Sequence, residues 1–508
     1  MQSLSWIERN KVVLILLICC VGFFLRFYDL GGESYWFDEK MSLYFSQQNL
    51  VSIFNPPPYE IQIPPLYYVL LHFWIGLLGT SELAVRSLSA IFGSLSILAI
   101  YKLGKYLFNV KIAIYSSLIL AVSIFQIYFS QEARMYSLLT LTTLISIFFF
   151  LKSLNENRLR FWVSYIIVSI LMLYSHFYGI FILIFQFFYL VFYYRNKTGY
   201  AKNGFIAFFL VILGFVPWVI KIFETTPYIL EGYSAIAWIP EPNIIVILET
   251  ILIFCNSSVI SLLVFGYSTT GIFKLDGVKK YFNRSSFFER LKRIKTGFFD
   301  PQKFSINFCL FWMAIPIILS LLISLIFQPI YIPKYLILVS PAFYLLVSKG
   351  LTKKNPKIQY ILLLILVIDS AMISYSYYTH LNKEQWRETA LYIQEREDAG
   401  DLIIINAPWL ELNFEHYYDG SNVVIGIQTI DQLNEVLSTT EHNKVWLILS
   451  HDIVADPDGQ VKKRLDSIYQ LNSENEFVSQ DILNNISILG YPIKTDYTTK
   501  IKIYYYSK

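Results

Sequence analysis

The chain has 508 residues, of which 55% are hydrophobic, 18% are aromatic and only 15% are charged. Soluble globular proteins carry about 25% charged residues, so this composition excludes an ordinary cytosolic enzyme, and also a disordered, collagen-like or coiled-coil chain. The formal net charge of +4 conceals a division: residues 1–380 carry 30 Lys and Arg against 17 Asp and Glu, whereas residues 381–508 carry 11 against 20. We therefore predict two domains, a basic hydrophobic body over 1–380 and an acidic soluble domain over 381–508.

The chain begins with a hydrophobic stretch over 12–25 that follows Arg9 and Lys11. No small-residue cleavage site follows it, which predicts a retained first span over 11–28 rather than a signal peptide. Because Lys and Arg mark the cytoplasmic side, the N-terminus is predicted inside and the polar loop 29–87 outside.

The apolar segment 64–79 has two interpretations. If it crosses the membrane, every later basic loop is inverted, whereas a juxtamembrane helix on the outer surface leaves those loops inside, including the basic stretch 274–303. We take the second interpretation, which gives about eleven spans with the N-terminus inside and the C-terminus outside. The spans after the first are predicted at 88–106, 112–130, 136–152, 161–177, 180–194, 204–221, 243–266, 306–326, 335–349 and 358–378.

The domain over 381–508 alternates helix-like and strand-like stretches, which is typical of a small mixed α/β fold. Helices are predicted over 385–397, 430–437 and 461–471. Strands are predicted over 402–405, 445–449 and 501–506. The predicted fold class is thus a polytopic α-helical membrane protein with a small C-terminal extracytoplasmic α/β domain.

Metal and nucleic-acid sites are not indicated. All cysteines lie within apolar stretches, which argues against a disulfide framework or a thiolate metal site. The basic residues lie mainly in short loops between spans, a pattern of topology signals rather than of a nucleic-acid interface.

Two adjacent carboxylates, Asp38 and Glu39, lie beside aromatic residues in the first outer loop. They have two interpretations, an interfacial aromatic belt with solvated charges or a general base that takes a proton from a hydroxyl nucleophile. A second acid, Glu132, precedes Arg134 and Tyr136 in the short outer stretch 130–136. This pair is either a helix-end ion pair or a second acid beside a phosphate ligand.

Other polar residues lie at predicted outer span ends. Lys334 either anchors its helix at the interface or binds a lipid phosphate. His176 lies in an outer turn, where a lone histidine is usually structural. Asp369 lies within the last predicted span, where a carboxylate is costly, and the sequence suggests no partner for it.

Taken in order, these motifs resemble one family. Asp38-Glu39, Pro64-Pro65-Leu66-Tyr67-Tyr68, and Ser130-Gln131-Glu132-Ala133-Arg134-Met135-Tyr136 are similar to the GT-C membrane glycosyltransferases of the dolichyl-phosphate-mannose–protein mannosyltransferase type, a group that includes the bacterial lipid A aminoarabinose transferase. The resemblance extends over about 10–405. It departs from the family at Gln62 and Ile63, where many relatives carry His or a Glu-Lys pair, and at Lys334, where many carry Arg.

The resemblance implies an inverting transferase that moves one sugar from a polyprenyl-phosphate donor to an acceptor hydroxyl on the outer face of the plasma membrane. It implies Asp38, Glu39 and Glu132 as catalytic residues, with Asp38 as the general base. Arg134 and Lys334 are the expected donor-phosphate ligands. The further substrate contacts expected are Gln62, Tyr67, Tyr136 and His176.

The acceptor class remains open between protein, lipid and glycan. No cofactor is required by this chemistry, because a monophosphate leaving group needs little charge neutralisation, although Asp38 with Glu132 would suit a divalent metal. The alternative function is a transporter or flippase for lipid-linked glycans, which would need polar groups along a path through the body.

Overall fold

In the computed structural model, the described chain is mostly helical and divides into two compact units. One unit comprises Met1–Tyr28, Phe45–Gly79 and Ala84–Ile373, and the other comprises Asp29–Tyr44, Thr80–Leu83 and Ser374–Lys508. The structure describes residues 6–58, 60–61, 63–194, 198–230, 239–272, 304–439, 442–451, 455–480, 487–488, 491–492 and 498–508. Gln62 and the basic stretch 274–303 lie outside the described residues.

The first unit consists of apolar helices, as expected for a multi-pass membrane protein. Among the described residues, six are long and apolar enough to span a membrane: Glu82–Leu107, Tyr136–Glu156, Ala201–Thr225, Phe304–Ile326, Pro333–Leu351 and Pro356–Thr379. Shorter apolar helices are Lys11–Phe27, Leu66–Leu78, Val110–Val122, Leu159–Ser175, Gly179–Val191, Ile244–Phe254 and Val259–Thr269. Each predicted span coincides with one or two of these helices, while the number and orientation of spans stay predictions.

The helix Leu66–Leu78 follows the two prolines and has 13 residues. At 1.5 Å per residue it is about 20 Å long, which is short of the ~30 Å hydrocarbon core of a bilayer. Its length therefore agrees with the interpretation of 64–79 as a helix that does not cross.

The predicted span 243–266 is two helices, because the backbone adopts positive φ at Asn256 (59°) and Ser257 (51°) between them. A chain that interrupts a helix here must find partners for its polar groups. Asp369 accepts hydrogen bonds from the hydroxyls of Ser258 (2.9 Å) and Ser261 (2.5 Å), both at the start of the second helix. The buried carboxylate therefore has a structural role as an anchor for this break.

A buried arginine ties the first helix to its neighbours. The side chain of Arg26 has no exposed surface. Its Nη1 and Nη2 donate to the main-chain carbonyls of Ala121 (3.0 Å) and Leu120 (3.1 Å). These carbonyls belong to the last turn of Val110–Val122, where a helix offers no amide partners. Arg26 thus caps that helix, and its Nε donates to Ser130 Oγ (3.2 Å) in the turn that follows.

Gln131 makes the reciprocal contact. Its Nε2 donates to the carbonyl of Tyr28 (2.8 Å) and, more weakly, to that of Arg26 (3.2 Å), at the C-terminal end of Lys11–Phe27. Gly93 permits the helix Glu82–Leu107 to approach the same turn, since a Cβ there would lie 2.0 Å from Ser130 Oγ. Three helices are therefore fixed around the turn that carries Glu132.

The second unit is built on a five-stranded mixed sheet. Its strands are β1 Leu402–Asn406, β2 Val423–Ile427, β3 Lys444–Leu449, β4 Gln470–Gln480 and β7 Thr498–Ser507, in the spatial order β2-β1-β3-β7-β4. The short strands β5 Ser487–Ile488 and β6 Tyr491–Pro492 form a separate antiparallel pair. β1 pairs in parallel with β2 and β3, and β7 runs antiparallel to β3 and β4. The helices of this part are Phe37–Gln47, Trp386–Gln394, Glu411–Glu415, Ile430–Thr439 and Gln460–Asp466.

This mixed α/β fold confirms the coarse prediction for the C-terminal domain, but several elements differ. The helix predicted over 461–471 ends at Asp466, and the last residues of that range begin β4. The strands β2, β5 and β6 and the short helix Glu411–Glu415 were not predicted. The second unit also takes in Asp29–Tyr44, which lies on the body side of the predicted boundary at 380, and that boundary stays a prediction.

We expect Arg26→Met to lower the free energy of unfolding by about 2–5 kcal/mol, because each buried acceptor left without a donor costs about 1–3 kcal/mol. The matched control is Arg158→Met, since the Arg158 side chain is 61% exposed. Denaturant unfolding in mixed micelles measures both. Equal stability of Arg26→Met and the control would contradict the structural role of Arg26.

Candidate active site

The turn between helices Ile124–Tyr128 and Tyr136–Glu156 carries Glu132 and Arg134, and both side chains are buried. It is closed by a hydrogen bond from the Arg134 amide to the Glu132 carbonyl (2.7 Å). The following helix begins at Tyr136, and the Ser137 hydroxyl reaches back to the Phe129 carbonyl (2.8 Å). Together with Arg26 and Gln131, these contacts hold the acid and the base in a rigid setting.

The predicted contact residue Tyr67 is joined to the same turn through one serine. The hydroxyls of Tyr67 and Ser89 are 2.8 Å apart, and Ser89 Oγ donates to the main-chain carbonyl of Arg134 (3.0 Å). The helix Leu66–Leu78 is thus tied at its first turn to the turn that carries Arg134.

Aromatic rings gather around Tyr335. Its ring centroid lies 4.8 Å from that of His176, 5.3 Å from that of Tyr178 and 6.2 Å from that of Tyr136. These residues come from a turn and from two helix starts, far apart in sequence. Tyr178 is itself held by a hydrogen bond from its hydroxyl to the Ile330 carbonyl (2.6 Å).

Two cations lie beside this aromatic group. Lys334 Nζ is 5.9 Å from the centre of the Tyr136 ring. His176 is buried in the turn that precedes the helix beginning at Gly179, and it interacts electrostatically with both Arg134 and Lys334. Its Nδ1 accepts a hydrogen bond from the Tyr178 amide (3.1 Å).

In the first unit, the structure thus brings together residues that the sequence analysis took from separate motifs. Arg134, Lys334, Tyr136 and His176 share one neighbourhood, and Tyr67 is linked to it through Ser89. A guanidinium and an ammonium beside neutral aromatic rings form a site suited to an anion with an attached polar ring.

The other two predicted catalytic residues, Asp38 and Glu39, lie in the second unit, in the first turn of the helix Phe37–Gln47. Asp38 is partly exposed, whereas Glu39 has no exposed surface. Glu39 Oε1 accepts a hydrogen bond from Lys383 Nζ at 2.9 Å, a buried ion pair. The two adjacent carboxylates therefore have different environments.

Sequence reasoning missed three residues that the structure places in these neighbourhoods. Tyr335 directly follows Lys334 but was not assigned a role, and Ser89 and Lys383 carried no signal of their own. The aromatic residues at the predicted span ends could have pointed to Tyr335. Nothing local in the sequence identifies a lysine or a serine whose partner lies in a distant segment.

Comparison with known proteins shows what this chain is similar to. Residues 62–220 match the family model described as dolichyl-phosphate-mannose-protein mannosyltransferase. The crystal structure of ArnT from Cupriavidus metallidurans bound to undecaprenyl phosphate is similar, with a TM-score of 0.56 at 11% identity over 97% of this chain and 98% of that one. The oligosaccharyltransferase AglB from Archaeoglobus fulgidus, in complex with an inhibitory peptide and a dolichol-phosphate, has a TM-score of 0.50 at 11% identity over 88% of this chain and 70% of that one. None of the curated proteins matches the chain.

The chain therefore has the fold of these solved membrane proteins. More particularly, it is similar to the dolichyl-phosphate-mannose–protein mannosyltransferase group, and the resemblance read from its motifs is confirmed. The matched segment 62–220 includes the turn that carries Glu132 and Arg134.

Proposed function

We propose that this protein is an inverting membrane glycosyltransferase that moves a single sugar from a polyprenyl-phosphate donor to a hydroxyl of an acceptor. The acceptor is a glycan, a lipid or a protein, and transfer takes place on the outer face of the plasma membrane. The observation that carries the proposal is the convergence of Arg134 and Lys334 on the aromatic group of Tyr136, His176 and Tyr335.

Two lines of evidence support a lipid-phosphate donor. The similar ArnT structure is described as bound to undecaprenyl phosphate, and the similar AglB structure contains a dolichol-phosphate. In this chain, Arg134 lies in the turn that directly precedes the helix Tyr136–Glu156, and Lys334 lies in the first helical turn of Pro333–Leu351. Cations at helix ends suit a phosphate whose polyprenyl tail stays in the bilayer.

The proposed reaction is a single displacement. The acceptor oxygen attacks C1 of the sugar while the bond between C1 and the phosphate oxygen breaks, and the bonding electron pair leaves with the phosphate. The hydroxyl proton passes to the carboxylate of Asp38, which acts as general base. Arg134 and Lys334 stabilise the charge that grows on the leaving phosphate. Attack from the face opposite the phosphate inverts the anomeric centre.

The environments of the neighbouring carboxylates support a division of roles. Asp38 is partly exposed and can therefore meet a hydroxyl substrate, whereas Glu39 is buried against Lys383. We assign Asp38 to proton transfer and Glu39 to support of the loop, with Glu132 as a second acid at the sugar or the acceptor. The proposal includes no metal, because a monophosphate leaving group needs less charge neutralisation than a pyrophosphate.

Transport of lipid-linked glycans is the competing function. The carboxylate that a transport path through the body would most readily use, Asp369, instead accepts hydrogen bonds from Ser258 and Ser261 at a helix break. Purified protein incubated with labelled polyprenyl-phosphate sugar separates the two. A transferase releases free polyprenyl phosphate only when an acceptor is present, whereas a transporter moves the intact donor across a vesicle membrane.

Asp38→Asn keeps the size of the side chain and removes its basicity. We expect turnover to fall by roughly 10²- to 10⁴-fold, the range for loss of a general base, with folding unchanged. Asp419→Asn, an exposed aspartate of the C-terminal segment, is the control. Near wild-type turnover of Asp38→Asn together with loss of turnover in Glu132→Gln would assign the base to Glu132.

Lys334→Gln removes one of the two phosphate cations. Charge-assisted contacts contribute about 1.5–3 kcal/mol, so we expect donor affinity to fall by roughly 10- to 100-fold. Lys334→Arg should retain affinity because the positive charge is kept. Donor titration of both variants, with the exposed Lys357→Gln as control, measures this. Equal donor affinity of Lys334→Gln and the wild type would leave Lys334 only as a helix anchor at the interface.

A further inference from the structure

The ion pair between Lys383 and Glu39 is almost completely removed from solvent. The exposed fraction is 4% for the Lys383 side chain and 0% for the Glu39 side chain, and the Nζ–Oε1 distance is 2.9 Å. A buried carboxylate or ammonium is costly unless it is paired, so each group needs a compensating charge beside it. The pair joins residues 344 positions apart in the sequence.

This ion pair is one of a series of contacts between two short segments, residues 33–39 and residues 382–386. The Asn382 amide donates to Glu33 Oε1 (2.6 Å). Ser34 lies between two residues of the C-terminal segment, since its hydroxyl donates to the Glu384 carbonyl (2.6 Å) and accepts from the Trp386 amide (3.1 Å). Residues 382–386 therefore lie along residues 33–39.

The C-terminal segment is itself fixed to the sheet. The Gln480 amide donates to the Leu381 carbonyl (2.8 Å), the Gln385 side chain donates to the Val478 carbonyl (2.8 Å), and the Ser479 hydroxyl donates to the Lys383 carbonyl (2.5 Å). The Gln480 amide, the Val478 carbonyl and the Ser479 hydroxyl all belong to β4. Lys383 therefore lies in an irregular stretch that hydrogen bonds to β4 hold in place.

Fixing Glu39 also fixes its neighbour. Successive residues of a helix are related by a rotation of about 100° and a rise of 1.5 Å, so holding one side chain of the first turn sets the direction of the next. Phe37, one residue before Asp38, packs against the core that contains Trp386 and Trp446. Asp38 is therefore partly exposed, while packing fixes Phe37 before it and the ion pair with Lys383 fixes Glu39 after it.

We infer that Lys383 is a positioning residue for glycosyl transfer: its buried pair with Glu39 orients the helix Phe37–Gln47 and so directs the carboxylate of Asp38. This inference rests on the proposed role of Asp38 as general base. It assigns residues 382–386 a part in catalysis, because this segment supplies the ammonium group that holds Glu39.

The test compares Lys383→Met with Lys500→Met. Both remove an ammonium from an ion pair of the second unit, but Lys500 pairs with Glu476 with about 40% of each side chain exposed. Exposed pairs contribute little, so the control is expected to behave as wild type. We expect Lys383→Met to lower kcat by roughly 10- to 100-fold, the scale of a catalytic group misplaced by about 1 Å, with the donor KM unchanged.

Two readouts separate positioning from general destabilisation. If Lys383 acts through Asp38, adding Lys383→Met to Asp38→Asn lowers kcat little further, since the group being positioned is already lost. Hydrogen exchange of the amides over 37–44 should be faster in Lys383→Met and unchanged in Lys500→Met. The inference would be overturned if the double variant lost kcat by the full product of the two single-variant losses. It would also be overturned if amide exchange over 37–44 were unchanged in Lys383→Met.

A variant that removes the ammonium beside the buried Glu39 can fail to fold. The double variant Lys383→Met with Glu39→Gln also removes the buried negative charge, and it should fold with the same low kcat. A folded double variant with wild-type kcat would overturn the inference. If Asp38→Asn is itself fully active, the proposed base is wrong, while the exchange measurement still decides whether Lys383 holds the helix.

Discussion

The burial of the Arg26 guanidinium is the constraint on which the first unit depends. An arginine cannot lose its charge in a protein, so its donors must be matched wherever it lies. Here they meet the last carbonyls of Val110–Val122 and the hydroxyl of Ser130. These carbonyls lie in the last turn of their helix, where no amide of the same helix can reach them, so the buried charge and the helix end satisfy each other. The turn with Glu132 and Arg134 follows directly and takes its position from this contact.

The two units use the same physical device for different purposes. In the first unit, the permanently charged Arg26 donates hydrogen bonds to main-chain carbonyls, and this contact fixes the turn that carries Arg134. In the second unit, two charges of opposite sign meet each other, Lys383 and Glu39, and the result is a fixed helix. Both devices are sensitive to loss of one partner, because the other is left in a medium that solvates it poorly.

The sequence predicted the helices well because long apolar stretches leave few alternatives in a membrane. It predicted β1 and β3 because their apolar runs are fully buried, but it missed β2 and assigned the start of β4 to a helix. β4 is a polar edge strand whose residues are mostly exposed, so it shows no alternation of apolar side chains. In the site, motif residues such as Arg134 and Tyr136 could be predicted. Arg26 resembles an interfacial anchor and Lys383 a surface lysine, since burial of a charge depends on a partner that the local sequence does not contain.

The separation of Glu39 from Lys383 by 344 residues has a consequence for biogenesis. A ribosome adds about 5–20 residues per second, so roughly 20–70 s pass between synthesis of the carboxylate and synthesis of its partner. During that interval the helix Phe37–Gln47 has been made but the sheet that holds it has not. Most of the membrane body is inserted in the meantime. The first turn of the helix Phe37–Gln47 is therefore translated well before the lysine that pairs with it, and it reaches its final structure only after the sheet has been made.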